Sequence, residues 1–148
     1  MLPFFLEEAI VKFFMSLLMK IDHIGIAVSD LAAAIEIYKN LGMSVEHMEE
    51  VSEMKVKVAF LPVGESRLEL LESLSSDSVI SKFISKRGEG VHHICFEVKD
   101  IHKAVKTLRD KKIEFIYPEP KKGSENSLVT FIHPKFVQGV LIELRQKG

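Results

Sequence analysis

The chain has 148 residues, which is enough for one ordinary domain or for two half-size modules that share a core. Apolar residues make up 47% and supply that core, while a formal net charge of only −1 argues against the basic surface of a nucleic-acid-binding protein. The single cysteine, Cys95, excludes an internal disulfide and is typical of proteins in a reducing cytoplasm.

Residues 1–18 form an apolar N-terminal extension. Charges such as Glu7 and Lys12 interrupt it, and no small-residue cleavage site follows it. Its uncharged runs are far shorter than the ~18 residues that cross a bilayer, so neither a signal peptide nor a membrane anchor is predicted. Residues 4–17 are predicted to form a short helix packed against another surface. The alternative is that translation begins at Met19.

Two stretches of ten residues, 70 positions apart, nearly repeat each other. IDHIGIAVSD occupies 21–30, and VHHICFEVKD occupies 91–100. Their apolar positions coincide, and His23 falls on His93. Such self-similarity predicts two copies of one supersecondary unit.

The first predicted module, residues 19–72, has the order strand, helix and three strands. The strand KIDHIGIAV precedes the helix SDLAAAIEIYKNL, which Ser29 or Asp30 caps and Gly42 ends. The strands SVEHMEEV, VKVAFLPV and SRLELLES follow, and a glycine turn joins the last two.

The second predicted module, residues 90–146, repeats this order. The strand GVHHICFEV precedes the helix KDIHKAVKTLRDKK, capped at Asp100, and the strands IEFIYPE, SLVTFIHP and GVLIELRQ. The linker 73–89 is predicted to be helical. The predicted fold is therefore α+β: a single domain, residues 19–146, in which two βαβββ modules form curved sheets around a shared cleft, with helices outside.

Strand alternation places polar residues on the cleft face of each module. His23 and His93 lie opposite the large apolar side chains of their strands, and small residues beside them leave room for a ligand. Glu69 and Glu143 stand in otherwise apolar final strands, where a carboxylate is costly unless it is paired or binds a cation. A lone strand histidine is more often structural, and a lone glutamate is as often a solvated edge-strand charge, but four such residues at matching positions favour one divalent metal site. His92 is predicted to point to the opposite face.

These features resemble the vicinal oxygen chelate superfamily, which shares the glyoxalase fold, and within it the family of methylmalonyl-CoA epimerases. The resemblance covers residues 19–146 and rests on KIDHIGIAVSDL, VKVAFLPVGES, LELLESLSSDSVISKFISKRGEGVHHICFEV, HPK and GVLIEL. It implies that one divalent ion per chain, of Co, Mn, Ni, Zn or Mg, is bound by four ligands: His23, Glu69, His93 and Glu143.

The resemblance also implies a reaction, the interconversion of (2R)- and (2S)-methylmalonyl-CoA in propionate metabolism. Proton removal and return at C2 need an acid and a base, and Glu143 is favoured for one role. Lys57 occupies the position at which some family members have a glutamate proposed for the other role. A lysine serves there only if burial lowers its pKa. Lys135 and Lys122 are candidate contacts of the CoA phosphates.

Other functions share this architecture and stay open at the level of sequence. They are a glyoxalase I-type lactoylglutathione lyase, a non-catalytic drug-binding protein and a structural dimer with a vestigial site. Ring-cleaving dioxygenases use three protein ligands, so four ligands argue against them. The family has small residues after HPK, where this chain has FVQG, so Phe136 and Val137 narrow that loop. The expected partners are an acyl-CoA and a second copy of the chain in a homodimer, with neither nucleic acid nor membrane.

Overall fold

The structure is a computed structural model that describes Pro3, Phe5 and residues 17–148. Nearly all of the helix predicted over 4–17 lies outside these described residues. Among those described, none of the helices has the length and apolar character needed to cross a lipid bilayer.

A curled, mixed sheet of eight strands runs through residues 20–146. The strands are β1 (Lys20–Ala27), β2 (His47–Val51), β3 (Val56–Val63), β4 (Ser66–Ser73), β5 (Gly90–Glu97), β6 (Lys121–Lys122), β7 (Leu128–Ile132) and β8 (Ile142–Gln146). Their order across the sheet is β2-β3-β4-β1-β5-β8-β7-β6. The strands β1 and β5 are antiparallel neighbours at the centre, and each has a parallel partner on its other side, β4 for β1 and β8 for β5.

Three α-helices accompany the sheet in residues 17–148: α1 (Leu31–Asn40), α2 (Val79–Arg87) and α3 (Ile101–Asp110). Each begins after a side-chain cap that satisfies a free backbone N–H of the first turn. The caps are Asp30, Ser78 and Asp100, which accept from the backbone of Ala33, Ser81 and Lys103.

The helices divide the core into two faces. Helices α1 and α3 pack against the apolar face of the two halves of the sheet, where Leu70 and Leu144 are fully buried. Helix α2 packs on the other face of the first half, where Ile80 joins Val58 and Leu71. This second face also carries the polar residues described below.

The prediction that IEFIYPE forms a strand is wrong. Residues 113–119 are irregular apart from one bridge between Phe115 and Ile132, and the edge strand is the two-residue β6 instead. Pro118 and Pro120 explain the difference, because proline has no N–H to donate to a ladder and restricts the residue before it.

The pairing of β1 with β5 is interrupted twice. Ile21 pairs with Phe96 and His23 with Cys95, so one extra residue, Asp22, stands in β1. Gly25 then pairs with His93 while Ile26 pairs with Val91, so an extra residue, His92, stands in β5. Such bulges bend a strand and turn a side chain away from the regular alternation.

Candidate metal centre

Four titratable side chains from four neighbouring strands line one cavity. His23 comes from β1, Glu69 from β4, His93 from β5 and Glu143 from β8, and all four are buried. Apolar side chains surround them, among them Val56, Val58, Leu71, Ile80, Val129 and Phe131. The alternation of the sequence therefore predicted the shared face of these four residues correctly, and the fold brings them together.

Three of the four side chains are in mutual reach. The Nε2 atom of His23 lies 3.0 Å from Nε2 of His93 and 3.1 Å from Oε1 of Glu143, and the last two atoms lie 3.7 Å apart. All three ligand groups lie within 4.8 Å of one another. Ligands about 2.1 Å from one cation stand roughly 3.0–3.5 Å apart, so these separations fit a divalent ion.

Glu69 reaches the same imidazole from its other nitrogen. Its Oε2 atom lies 2.6 Å from Nδ1 of His23, yet it is buried and finds no hydrogen-bond partner among the described residues. An orphaned carboxylate oxygen inside a protein is costly and is usually explained by a missing ion or water. The spacing of the His23, His93 and Glu143 donor atoms is therefore the observation by which the site fits a cation, and the free Glu69 oxygen lies beside the same imidazole.

A buried ion pair lies behind the four residues and was not predicted. Asp22 Oδ2 is 2.6 Å from Nδ1 of His23, and Asp22 Oδ1 accepts a 3.1 Å hydrogen bond from Arg145. Arg145 follows Glu143 by two residues, so alternation alone places it on the cavity face. Alternation did not indicate the contact of Asp22, because in a regular strand its side chain would point to the face opposite that of His23.

His92 was predicted to point away from the site, and that prediction is wrong. Its ring lines the cavity, with Nδ1 2.9 Å from Nδ1 of His93, and it stands edge-on to Phe83 of α2. The bulge at His92 is the physical reason, because an extra residue breaks the two-residue period on which the prediction depended.

The space above Gly25 is filled by the His93 ring. A Cβ atom added to Gly25 would lie 2.5 Å from Nδ1 and 2.7 Å from Nε2 of His93. Real contacts of this kind are never so short, so only glycine allows the His93 ring to lie there. Gly25 makes room for a site residue and not for the ligand.

The two histidines differ in their ionisation. Burial disfavours the charged form of His23, but the Glu69 carboxylate and the hydrogen bond to Asp22 outweigh burial and hold its pKa well above the usual value. Burial lowers the pKa of His93 to about 3, against the attraction of Glu143. Burial also raises the pKa of the Cys95 thiol well above its usual value, so this residue is an inert thiol.

Glu143 is ionised in this arrangement. Burial favours its neutral form, but the hydrogen bond from His23 and the charges of His93 and His23 together outweigh burial and lower the pKa of Glu143 to about 2. The pKa of Asp22 is also about 2, because its bond to His23 and the charge of Arg145 outweigh its burial. Glu143 and Asp22 are therefore both ionised, and each is held in that form by positively charged neighbours.

The three lysines of the predicted site are not brought to the cavity. Lys122 and Lys135 are exposed, and neither lines the cavity. Lys57 is half-buried in β3, and its neighbours Val56 and Val58 are the residues that line the cavity. Since successive strand side chains point to opposite faces, Lys57 lies on the far side of the sheet.

The segment between β6 and β7 closes one side of the cavity. Gly123 and Ser124 line it, and the carboxylate of Glu125 accepts hydrogen bonds from Arg67 at 2.6 Å and from Arg145 at 3.1 Å. Glu125 thus connects β4 with β8, one strand from each half of the sheet. No feature of the sequence indicated this connection.

Comparison with known proteins defines the class to which this fold and site belong. The Glyoxalase/Bleomycin resistance protein/Dioxygenase superfamily matches residues 22–131, so the chain is a member of that superfamily.

Relatives within the superfamily narrow this assignment. Human mitochondrial methylmalonyl-CoA epimerase is 43% identical over 129 residues, which are 86% of this chain and 73% of the human protein. The crystal structure of methylmalonyl-CoA epimerase from Mycobacterium tuberculosis has a TM-score of 0.87 at 38% identity, over 90% of this chain and 91% of that one. A Streptomyces coelicolor methylmalonyl-CoA epimerase in complex with 2-nitronate-propionyl-CoA has a TM-score of 0.85 at 42% identity, over 88% and 96%. The chain belongs to the methylmalonyl-CoA epimerase family, as the sequence motifs predicted.

Proposed function

We propose that this protein is an isomerase that interconverts (2R)- and (2S)-methylmalonyl-CoA. The observation that carries the proposal is the 43% identity to a named methylmalonyl-CoA epimerase over 86% of the chain. The Streptomyces relative binds 2-nitronate-propionyl-CoA, which supports an acyl-CoA as the small-molecule partner here. A homodimer and a cytoplasmic location stay predictions.

The fold can be described as two modules of one domain that each contribute residues to the cavity. We infer modules at residues 19–72 and 90–146, joined by the linker 73–89, within a single domain over 19–146. The support is the strand order, in which β4, β3 and β2 follow β1 outward as β8, β7 and β6 follow β5. Each module then contributes one histidine and one glutamate to the cavity.

We further propose that His23, Glu69, His93 and Glu143 hold one divalent ion per chain. The short distances among His23, His93 and Glu143 and the unpartnered oxygen of Glu69 support this set. Mixed nitrogen and oxygen ligands suit Co, Mn, Ni, Zn or Mg, so the donor set leaves the metal open among these.

The chemistry needs stabilisation of negative charge and transfer of one proton. When bound, a divalent cation supplies positive charge beside the thioester and carboxylate oxygens of the substrate, where charge develops as C2 loses its proton. Glu143 is the proposed base at C2, because its carboxylate is ionised inside a cavity with apolar walls. Its pKa of about 2 describes Glu143 beside a protonated His23, and loss of the His23 proton makes it a stronger base.

A second residue must deliver a proton to the opposite face of C2. Lys57 is the candidate from the sequence, and its place behind Val56 and Val58 gives that role no support. The assignment stays a prediction, and the Lys57→Ala variant described below tests it.

Deuterium exchange tests the proposed reaction directly. The purified protein is incubated with (2S)-methylmalonyl-CoA in deuterated water, and both deuterium at C2 and the amount of the (2R) epimer are followed. We expect both to rise with enzyme concentration. The glutathione hemithioacetal of methylglyoxal is offered in a parallel assay, and we expect no turnover. Turnover of the hemithioacetal without exchange at C2 would assign the protein to the glyoxalase I-type lyases instead.

A further inference from the structure

We infer that Asp22 is a positioning residue, whose carboxylate fixes the imidazole of His23 with a proton on Nδ1 and the Nε2 lone pair directed at the cation. The inference rests on the metal site proposed above. Asp22 is outside the predicted ligand set, and its contacts within the fold are what assign the role.

The distance between the two groups is that of a strong, charge-assisted hydrogen bond. Asp22 Oδ2 lies 2.6 Å from Nδ1 of His23, and both side chains are almost fully buried. With Nδ1 engaged, Nε2 is the nitrogen that faces His93 and Glu143, at 3.0 and 3.1 Å. Histidine ligands of metals commonly donate their other N–H to a carboxylate, which fixes the tautomer and the ring orientation.

Arg145 in turn fixes Asp22. Its guanidinium donates to Asp22 Oδ1 at 3.1 Å and also to Glu125, and its side chain is only 5% exposed. Both oxygens of Asp22 therefore have partners, one in β1 and one in β8. Rotation of the carboxylate would leave a buried charge unpaired, which is strongly unfavourable.

The bond to Asp22 also explains why Glu69 is left without a partner. Oε2 of Glu69 is as close to Nδ1 of His23 as Asp22 is, but it does not have hydrogen-bond geometry. Since Nδ1 carries one proton and Asp22 accepts it, the Glu69 oxygen remains available. The two carboxylates therefore differ: Asp22 accepts the proton of Nδ1, whereas Glu69 Oε2 keeps its lone pairs free.

The bulge in β1 is what makes this contact available. In a regular strand, the side chains of Asp22 and His23 would point to opposite faces of the sheet. The extra residue in the β1–β5 pairing turns Asp22 so that it reaches the ring of the next residue.

Zinc binding and imidazole spectroscopy test the inference. Zn²⁺ is added to the purified full chain, its affinity is measured by competition with a chromophoric chelator, and the His23 ring is observed by long-range ¹H–¹⁵N NMR. We expect Asp22→Ala to weaken Zn²⁺ binding about 10–100-fold and to lose the Nδ1–H resonance. Asp22→Asn can still accept the proton, so its affinity should lie between those of Asp22→Ala and the wild type.

The control is Asp77→Asn, which changes an exposed aspartate that pairs with Lys55 and does not line the cavity. It should match the wild type in both measurements. Wild-type affinity together with a retained Nδ1–H resonance in Asp22→Ala would overturn the inference. If Asp22→Ala does not fold, Asp22→Asn decides, because wild-type affinity in that variant as well as in Asp77→Asn would show that the charge of Asp22 is irrelevant.

An incorrect metal-site proposal would give a result that differs from an incorrect role for Asp22. If the wild type binds no Zn²⁺, the proposed ligand set is wrong, and the His23 tautomer is read in the zinc-free protein at alkaline pH. A proton on Nδ1 in the wild type but on Nε2 in Asp22→Ala supports the positioning role. A proton on Nε2 in both proteins refutes it.

Discussion

His23 and His93 lie at matching places in the two central strands, but their immediate neighbours differ in charge. Each is preceded by a bulged residue that reaches its Nδ1, an aspartate before His23 and a histidine before His93. The pKa of His23 is raised well above its usual value, while the pKa of His93 falls to about 3. Strand position places the two rings, and the bulged neighbour contributes to setting their charge.

The residues paired with the two histidines differ as well. His93 pairs with Gly25 and its ring fills the space above that glycine, whereas His23 pairs with the buried Cys95. One half of the site therefore depends on the absence of a side chain, and the other half is packed against a small one. This difference between the halves can be tested by substitution.

The largest effect on activity is expected from substitution of the two glutamates, because these variants distinguish a metal ligand from a catalytic base. Glu143→Gln keeps one oxygen ligand and loses the basic carboxylate, so it should retain much of its metal while activity falls about 10²–10⁴-fold. Glu69→Gln, the matched variant in the first half, should lose less activity. His23→Ala should lose metal and activity together. Epimerisation rates and metal content measure these outcomes, and near-normal activity in metal-loaded Glu143→Gln would move the base to another residue.

The next largest effect should follow from Gly25→Ala. The added Cβ displaces the His93 ring, so we expect Zn²⁺ affinity to fall by about two orders of magnitude and the free energy of unfolding to fall by about 1–3 kcal/mol. Chelator competition and urea denaturation measure the two quantities. Cys95→Ala, the matched control at the corresponding place in β5, should keep its affinity for zinc. Equal affinities in both variants would contradict the packing argument.

A smaller effect concerns pH. Metal binding needs a neutral imidazole, so affinity is lost as pH falls below the pKa of an unoccupied ligand. The pKa of His23 is raised, so the loss should begin above about pH 6.5, whereas His93, with a pKa of about 3, should not compete with metal near neutrality. We expect the logarithm of the Zn²⁺ affinity to change by about one per pH unit. A slope of two, measured by competition between about pH 5 and 7, would show that both rings titrate.

Exchanging the bulged neighbour should reduce the difference between the two histidines. His92→Asp brings a carboxylate near His93, and we expect the pKa of His93 to rise by about 1–3 units. An NMR titration of the ring carbons measures the shift. His102→Asp, on the exposed side of α3, is the control and should leave His93 unchanged. An unshifted His93 in His92→Asp would show that burial alone sets its pKa.

The smallest effect is expected outside the central strands. Lys57→Ala removes a half-buried lysine on the face of β3 away from the cavity, so activity should change less than about tenfold. Steady-state epimerisation measures it, with Lys122→Ala as a comparison on the exposed edge strand. A loss as deep as that of Glu143→Gln would make Lys57 the second acid after all.

Sequence periodicity found the four cavity residues because alternation holds along the stretch that follows each histidine and around each glutamate, although a bulge precedes each histidine. A period of two is sufficient to assign His23, Glu69, His93 and Glu143 to one face, and the repeat identified which polar residues to compare. Arg145 was within reach of the same argument, since it shares the face of Glu143.

The rest of the site depends on contacts that no period describes. A bulge is a property of two paired strands, so neither strand alone reveals it, and His92 was assigned to the wrong face for that reason. The absence of a strand over 113–119 has a local cause, because Pro118 has no N–H to donate and this outweighs the apolar pattern of the segment. The role of Gly25 required knowledge of the ring opposite it.

The bulges at Asp22 and His92 also restrict how the two central strands can change in length. Deleting Asp22 would join Ile21 to His23, whose partners Phe96 and Cys95 are already adjacent, so the ladder would become continuous but Nδ1 of His23 would lose its carboxylate partner. A one-residue insertion or deletion at a regular position of either strand would instead move every side chain on one side of the change to the other face of the sheet. Surface connections, such as residues 111–120, are free of this restriction. Insertions and deletions among homologues of this chain are therefore expected in the connecting loops, while β1 and β5 vary only by substitution.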